Sequence, residues 1–370
     1  MRIFFVILSL FCLSSCQRDL RPIKAPPVLS DLEIVAELPI NPGNVTVCPS
    51  GQVFATIHQF RLAPARLIEI DSIDSYSPFP SESWNGEFGS SKRVLNSPLG
   101  IQCDARNWVW VIDNGSGEVN QAPKLVAFNA ETKKEEFFFS FPKEIAPPGS
   151  FVQDLAVDPA GGYVYLADIG GQVSPAIIFL DTTTRKARRF EASETLGSED
   201  VDLKVEGKVL VAPGEPAGGK PARVAVNPIT LSADNNTIFF GAMTGTKWYS
   251  LPSRVLREEL DDTVVAKSIV EVGDKPVSDG ASTDKFGNHY FTAVNENAIV
   301  ALNRAGELET VVSDERLVWP DALAFGDNGW LYIAVNQLNR AAPFNGGVDK
   351  GKPPYLIARI QLDTTGVVGR

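Results

Sequence analysis

Three aspartates and two asparagines recur at one place in a repeating pattern. Asp154, Asp279 and Asp321 each stand eleven residues before an aromatic residue that lies inside a strand-like run, at Tyr165, Tyr290 and Tyr332. In the other copies the same count lands on Gly43, Leu99 and Pro228, with Asn44 and Asn227 next to it. One aspartate before a strand is an ordinary turn or capping residue. Three at one repeat position, facing one axis, make a site. Carboxylates crowded in a partly dry cavity repel, so at least one retains its proton and becomes a general acid or base near neutral pH. Asp154, Asp279 and Asp321 with Asn227 also offer oxygen ligands to a hard cation such as Ca²⁺, the core of that set being Asp154, Asn227 and Asp279. Alternatively, the same carboxylates meet an organic amine, with Trp319, Trp330 or Phe344 supplying apolar contact.

A second polar set follows the aromatic runs. Asp113 and Asn114, Asp168, Asn295 and Asn336 sit just past their strands, where "WVWVIDNG" (108–115) stops. The alternation places these ends on the face where the carboxylate-bearing strands begin, so they are candidate ligand-binding residues. Asp-Asn-Gly is equally an excellent tight turn.

The elements that must position these residues are short strands broken by Gly, Pro, Asp and Asn, with little helical periodicity. Six copies of a unit recur: a short strand, a turn, and a strand with an aromatic inside it. The aligned aromatics are Phe54, Trp110, Tyr165, Phe239, Tyr290 and Tyr332, at intervals of 56, 55, 74, 51 and 42 residues. Such spacing suits a four-stranded propeller blade with variable loops. The pattern predicts an all-β, six-bladed β-propeller over residues 31–370, with "LEIVAEL" (32–38) pairing beside "YLIARIQL" (355–362) to close the ring.

The totals agree. The 370-residue chain is 44% apolar and 21% charged, with a formal charge of -11, so it lacks the basic footprint of a nucleic-acid binder. A monomer that binds a small molecule is expected. Arg2 and the apolar run 3–13 form a targeting segment too short to span a bilayer. It ends in Leu13-Ser14-Ser15-Cys16, which resembles the lipobox of bacterial lipoproteins. That resemblance implies a signal peptide over 1–15, lipid on Cys16, a tether over 16–30, and export to the bacterial cell envelope with lipid as the only membrane contact. Cys48 and Cys103 either pair in that oxidising compartment or stand as two buried thiols in neighbouring strands. Only His58 and His289 exist, neither in a nucleophile-elbow context. His58 reads as a hydrogen-bonded turn residue and His289 as an exposed one. Phosphate-binding glycine loops and H-E-x-x-H are absent.

"SPLGIQCDARNWVWVIDNG", "FVQDLAVDPAGGYVYLADIGG", "ITLSADNNTIFFGAMTGTKWYSLP", "SDGASTDKFGNHYFTAVNENAI", "WPDALAFGDNGWLYIAVNQL" and "FNGGVDKGKPPYLIARI", in that order, resemble the major royal jelly protein/yellow family from about residue 31 to 362. The resemblance implies a six-bladed propeller and an exported protein. Some insect members are linked to dopachrome conversion, others bind biogenic amines, and others are nutritive or structural. A more distant resemblance, through "SDG" at Asp279, is to gluconolactonase/regucalcin propellers, whose divalent metal is held by Glu, Asn and Asp. Here Gly43 and Asn44 stand where those enzymes carry the glutamate. Three readings follow: a proton-transfer enzyme of the dopachrome-tautomerase kind, a metal-dependent lactonase, and a non-catalytic binder of amines or other small molecules.

Overall fold

The computed structural model describes residues 24–115, 121–216 and 218–370. Cys16 and the expected signal segment lie outside the described residues. Six four-stranded antiparallel sheets follow one another along the chain as the blades of a propeller. In blades one to five the strands run outward in chain order. Blade six runs from Pro320–Phe325 at the axis through Trp330–Val335 and Tyr355–Gln361, and its outermost strand is Glu33–Leu38 from the start of the ring. Glu33 pairs with Arg359 and Leu38 with Tyr355, so the expected closure is the one observed. Closure matters because an open ring would leave two unpaired edges facing each other. Part of the expected tether is also packed: Leu29 N–H donates to Gln361 O at 2.8 Å, and Val28 bridges Leu362. The ordered chain thus begins before residue 31.

The repeat is a packing device. Phe54 sits between blades one and two with Ile101 and Val109, and Trp110 between blades two and three with Leu155 and Val164. Tyr165, Phe239, Tyr290 and Tyr332 occupy the four remaining junctions. Each large ring fills the wedge that opens between radiating sheets, which is why an aromatic recurs there. The polar tips are satisfied in place: Trp110 Nε1 donates to Asp104 at 2.8 Å and Tyr290 Oη to Asp284 at 3.1 Å. Cys48 and Cys103 are joined as a disulfide between the inner hairpins of blades one and two.

The inner strands surround a channel whose two ends differ. At one end, the chain from 365 to 370 runs across the inner hairpins: Lys285 N–H donates to Thr365 O at 3.0 Å, Val157 N–H to Gly369 O at 2.8 Å, and Arg370 Nε to Leu231 O at 3.0 Å. At the other, the long 191–223 insertion behind the 74-residue interval lies over the mouth. It contributes Leu203, Val205, Leu210 and Ala222 to an apolar cluster with Met243 and Trp319. Among the described residues, helix is confined to short pieces such as Arg254–Arg257 and Asp262–Lys267.

Candidate functional site

Every inner strand carries a β-bulge at its start. The pairing slips between Pro42 and Val45, Pro98 and Ile101, Val152 and Asp154, Val226 and Ile229, Ser278 and Ala281, and Pro320 and Leu323. A bulge puts two residues opposite one and re-aims side chains. Six at one end of the channel give its mouth a common local geometry. The residue after each closing pair is Gly43, Leu99, Gln153, Asn227, Asp279 or Asp321. The next is Asn44, Gly100, Asp154, Pro228, Gly280 or Ala322.

This register corrects the alignment made from the aromatics. Tyr165 pairs with Ala156 and Phe239 with Thr230, nine residues apart, whereas Tyr290 pairs with Ser282 and Tyr332 with Ala324, eight apart. The hairpins of blades three and four are one residue longer. Gln153 and Asn227 therefore share the level of Asp279 and Asp321, and Asp154 lies one residue deeper. Glycine stands at the deeper level where neighbouring inner strands touch: a Cβ on Gly280 would lie 2.3 Å from Asp321 O, and one on Gly100 2.8 Å from Gln153 O.

The carboxylates converge nonetheless. Asp279 is the best connected. Its Oδ1 accepts from the Asn227 amide, and from Gln153 Nε2 at 3.4 Å. Its Oδ2 accepts from Trp319 Nε1 at 2.7 Å. Trp319 holds its backbone at φ 56°, a left-handed conformation unusual for a bulky residue, which the surrounding packing must stabilise. Asp321 accepts from the Asn336 amide, and from Asn44 Nδ2 at 3.4 Å. Asp154 accepts from Leu155 N–H at 2.8 Å.

Burial is the main force on all three protons. It raises Asp154 to about 8, opposed by the Leu155 N–H and assisted by the negative charge of Asp279. It lifts Asp321 well above the carboxylate range, with repulsion from Asp279 and Asp154 adding to it. Asp279 rises only to about 6, because the Trp319 and Asn227 donors and nearby Lys275 favour its anion. Asp279 therefore holds a negative charge more readily than Asp154, which keeps its proton at pH 7. Lys275, buried with Nζ on the carbonyls of Gly245 and Pro276 at 2.9 Å each, is lowered by burial to about 7.

Asp279 opens on a cavity of about 400 Å³ at the mouth. The cavity walls include Phe60, Phe151, Trp319 and Phe344, with Leu203 and Ala222 from the covering insertion. His58 also lines it; burial and the neighbouring Arg61 charge lower this imidazole to about 3, so it is neutral. Its Nδ1 accepts from Phe60 N–H at 3.3 Å, which assigns the ring proton to Nε2.

Several expected site residues do structural work instead. Asp113 pairs with Lys124 at 2.7 Å and accepts from the N–H groups of Asn96, Ser97 and Gly115. Asp168 pairs with Arg189 at 2.6 Å and accepts from Phe151 and Gly170 N–H. Asn114 accepts from Val152 N–H at 2.9 Å, tying blade two to blade three. Asn295 accepts from Lys204 N–H at 2.9 Å, anchoring the insertion. With their polar atoms used to hold loops, these four are not part of the carboxylate group. The "DNG" ending is a turn on the site's face, and Asp113 is its latch. Trp330 lies at the opposite end of its blade under the Arg359 guanidinium, 4.0 Å from the ring centroid, and not in the cavity. His289 is buried rather than exposed, bonded to Thr283 Oγ1 at 2.9 Å and packed on Phe239.

The expected metal set does not fit as arranged. N–H donors occupy both Asp279 oxygens, and the Asn227 amide turns its nitrogen inward, held there by a second bond to Asp279 O at 3.0 Å. Among the described residues, no three His, Cys, Asp or Glu side chains are grouped to hold an ion. With its nitrogen on Asp279, the Asn227 amide offers no oxygen there to a set made with Asp154 and Asp279.

The profile of the family described as Major royal jelly protein matches residues 96–367, well over half the chain. No curated protein sequence gives a significant match. Among solved structures, a luciferin-regenerating enzyme aligns with a TM-score of 0.58 at 11% identity, over 92% of this chain and 98% of its own. Regucalcin from Agrobacterium tumefaciens strain C58, described as a calcium-binding protein, aligns with a TM-score of 0.52 at 14% identity, over 94% and 97%. A propeller assigned as a gluconolactonase aligns with a TM-score of 0.55 at 11% identity, over 93% and 96%. At these identities the likeness is one of fold.

Proposed function

Since the chain belongs to the major royal jelly protein family, we propose that it is a small-molecule-binding propeller whose ligand is a flat organic amine. The ammonium sits against Asp279, and the apolar body lies among Trp319, Phe344, Phe60 and Phe151. The observation that carries this reading is that, among the described residues, Asp279 is the one acidic side chain lining a largely apolar cavity, whose cationic lining residue, Arg223, is paired with Asp200 and Asp202. Beside it, the buried Asn227 Oδ1 has no hydrogen-bond donor among the described residues. Calorimetric titration with tryptamine against its neutral alcohol analogue tests the reading. Tryptamine should bind at pH 7 and the alcohol at least about tenfold more weakly, with Asp279→Asn removing the difference. Binding should weaken below about pH 6, where Asp279 takes up its proton and loses its charge. Equal binding of the alcohol, or an unchanged affinity in Asp279→Asn, would sink the proposal.

Graded proton affinities favour a second reading, proton transfer. Asp279 at about 6 has Asp154 at about 8 behind it, so a base at the cavity is backed by a proton-bearing partner. That chemistry would show as deuterium uptake from D₂O at an acidic C–H of a bound ligand, lost in Asp279→Asn. Metal-assisted lactone hydrolysis has no matching donor set here. For location, the proposal is export to a bacterial envelope membrane through lipid on Cys16.

A further inference from the structure

On the other side of His58 from the channel mouth lies a second cavity, a groove of about 570 Å³ between the 58–66 loop of blade one and the approach to blade two. In a chain of net charge -11 it is lined, among the described residues, by two arginines, Arg61 and Arg66, and by no acidic side chain. Leu62 and Phe88 give it an apolar flank and are solvent-exposed.

The Arg61 side chain is nine-tenths buried. Its Nε donates to both Asp349 oxygens, at 3.0 and 2.9 Å. Nη2 lies 2.9 Å from Asp349 Oδ1, outside hydrogen-bonding geometry, and Nη1 has no acceptor among the described residues. A buried guanidinium N–H without an acceptor is costly and calls for one. Arg66 is fixed differently. Its Nη1 donates to the carbonyls of Asn85 and Gly86, at 2.9 Å each. Neutral carbonyls hold the group in place, and the acidic charge that reaches it, Asp113, is itself paired with Lys124. Two arginines lining a groove with an apolar flank offer a receptor for an anionic head on an organic body.

We propose that this groove is a second binding site, for a small organic anion whose carboxylate or phosphate accepts from Arg61 and Arg66 while its apolar part lies along Leu62 and Phe88. The site is separate from the amine cavity and does not depend on that cavity's ligand.

The test is calorimetric titration of the whole chain, at low ionic strength, with phenyl phosphate and with benzoate, using benzyl alcohol as the neutral control. At least one anion should bind saturably, more weakly as salt is added, and the alcohol should not. Arg61→Gln should weaken that binding by about tenfold or more. Asp349→Asn removes the carboxylate that competes for the same guanidinium, so affinity should rise several-fold. Asp349 is half-exposed, so this variant keeps its fold even if Arg61→Gln does not. Asp279→Asn should leave anion binding unchanged. Failure of both anions to bind, equal binding of benzyl alcohol, or no rise in Asp349→Asn would overturn the proposal. So would an affinity that ignores Arg61→Gln but rises in Asp279→Asn, since that anion would be entering the channel mouth.

Discussion

Replacing Asp154 with asparagine isolates the cost of keeping a carboxyl in the channel. Asp154 is buried, and folding raises it from 3.8 to about 8. A carboxyl raised by folding binds its proton more tightly in the folded chain than in the unfolded one. Its contribution is thus fully present below the unfolded value and is lost as pH rises towards the folded value. At about 1.36 kcal/mol per unit, the loss between pH 4 and pH 7 is on the order of 4 kcal/mol. That is a large share of a net stability of roughly 5–15 kcal/mol. The amide retains the Oδ1 that accepts from Leu155 N–H at 2.8 Å and has no proton to lose. Asp154→Asn should therefore match the wild type near pH 4 and exceed it by on the order of 4 kcal/mol at pH 7. Urea unfolding at unit pH intervals, followed by tryptophan fluorescence, measures the gap. Parallel stability profiles would refute the argument, because they would mean that Asp154 titrates alike in both states. A gap that widens towards acid would show that the anion, not the acid, is the favoured form.

Two further substitutions test other parts of the structure. Gly280→Ala places a Cβ 2.3 Å from Asp321 O and 2.8 Å from Ala322 Cα, where only backbone could move, so it should cost about 3 kcal/mol in urea unfolding. An unchanged midpoint would mean that the inner strands of blades five and six do not approach so closely. Cys16→Ser should shift the protein from the membrane to the soluble fraction and abolish lipid-modified mass in the mature N-terminal peptide; a wild type that is already soluble and unmodified would end the lipoprotein reading.

The propeller was legible because its repeat is a packing requirement. A ring is needed at each inter-blade wedge, so Phe54, Trp110, Tyr165, Phe239, Tyr290 and Tyr332 report six wedges even with long loops between them. Closure was legible because the apolar strand at 33–38 had no other partner to complete blade six. Residue-level register was not fully legible from one end of the hairpin. The turns "VDPAGGY" (157–163) and "LSADNNT" (231–237) hold one residue more than "CDARNW" (103–108), and a count that starts from the aromatic inherits that difference. Counting forward from the first paired residue of each inner strand, Val152, Val226 and Ser278, matches Gln153 and Asn227 with Asp279.

The polar residues that closed the strands were misread for a related reason. An aspartate after a strand has the same sequence signature whether it greets a ligand or ties down a loop. What separates the two is a partner remote in sequence, Arg189 for Asp168 and an N–H from the next blade for Asn114. The same remoteness decides which channel carboxylate most readily holds a negative charge. Asp154, Asp279 and Asp321 look alike in the sequence and are all deeply buried. Only Asp279 receives an indole N–H from a residue 40 positions away and an amide from one 52 positions away. Those two donors stabilise its anion against the burial that raises the proton affinity of all three, and they favour a negative charge facing the aromatic cavity. The channel's charge is therefore set by donors on other blades, a property of the closed ring that no single repeat carries.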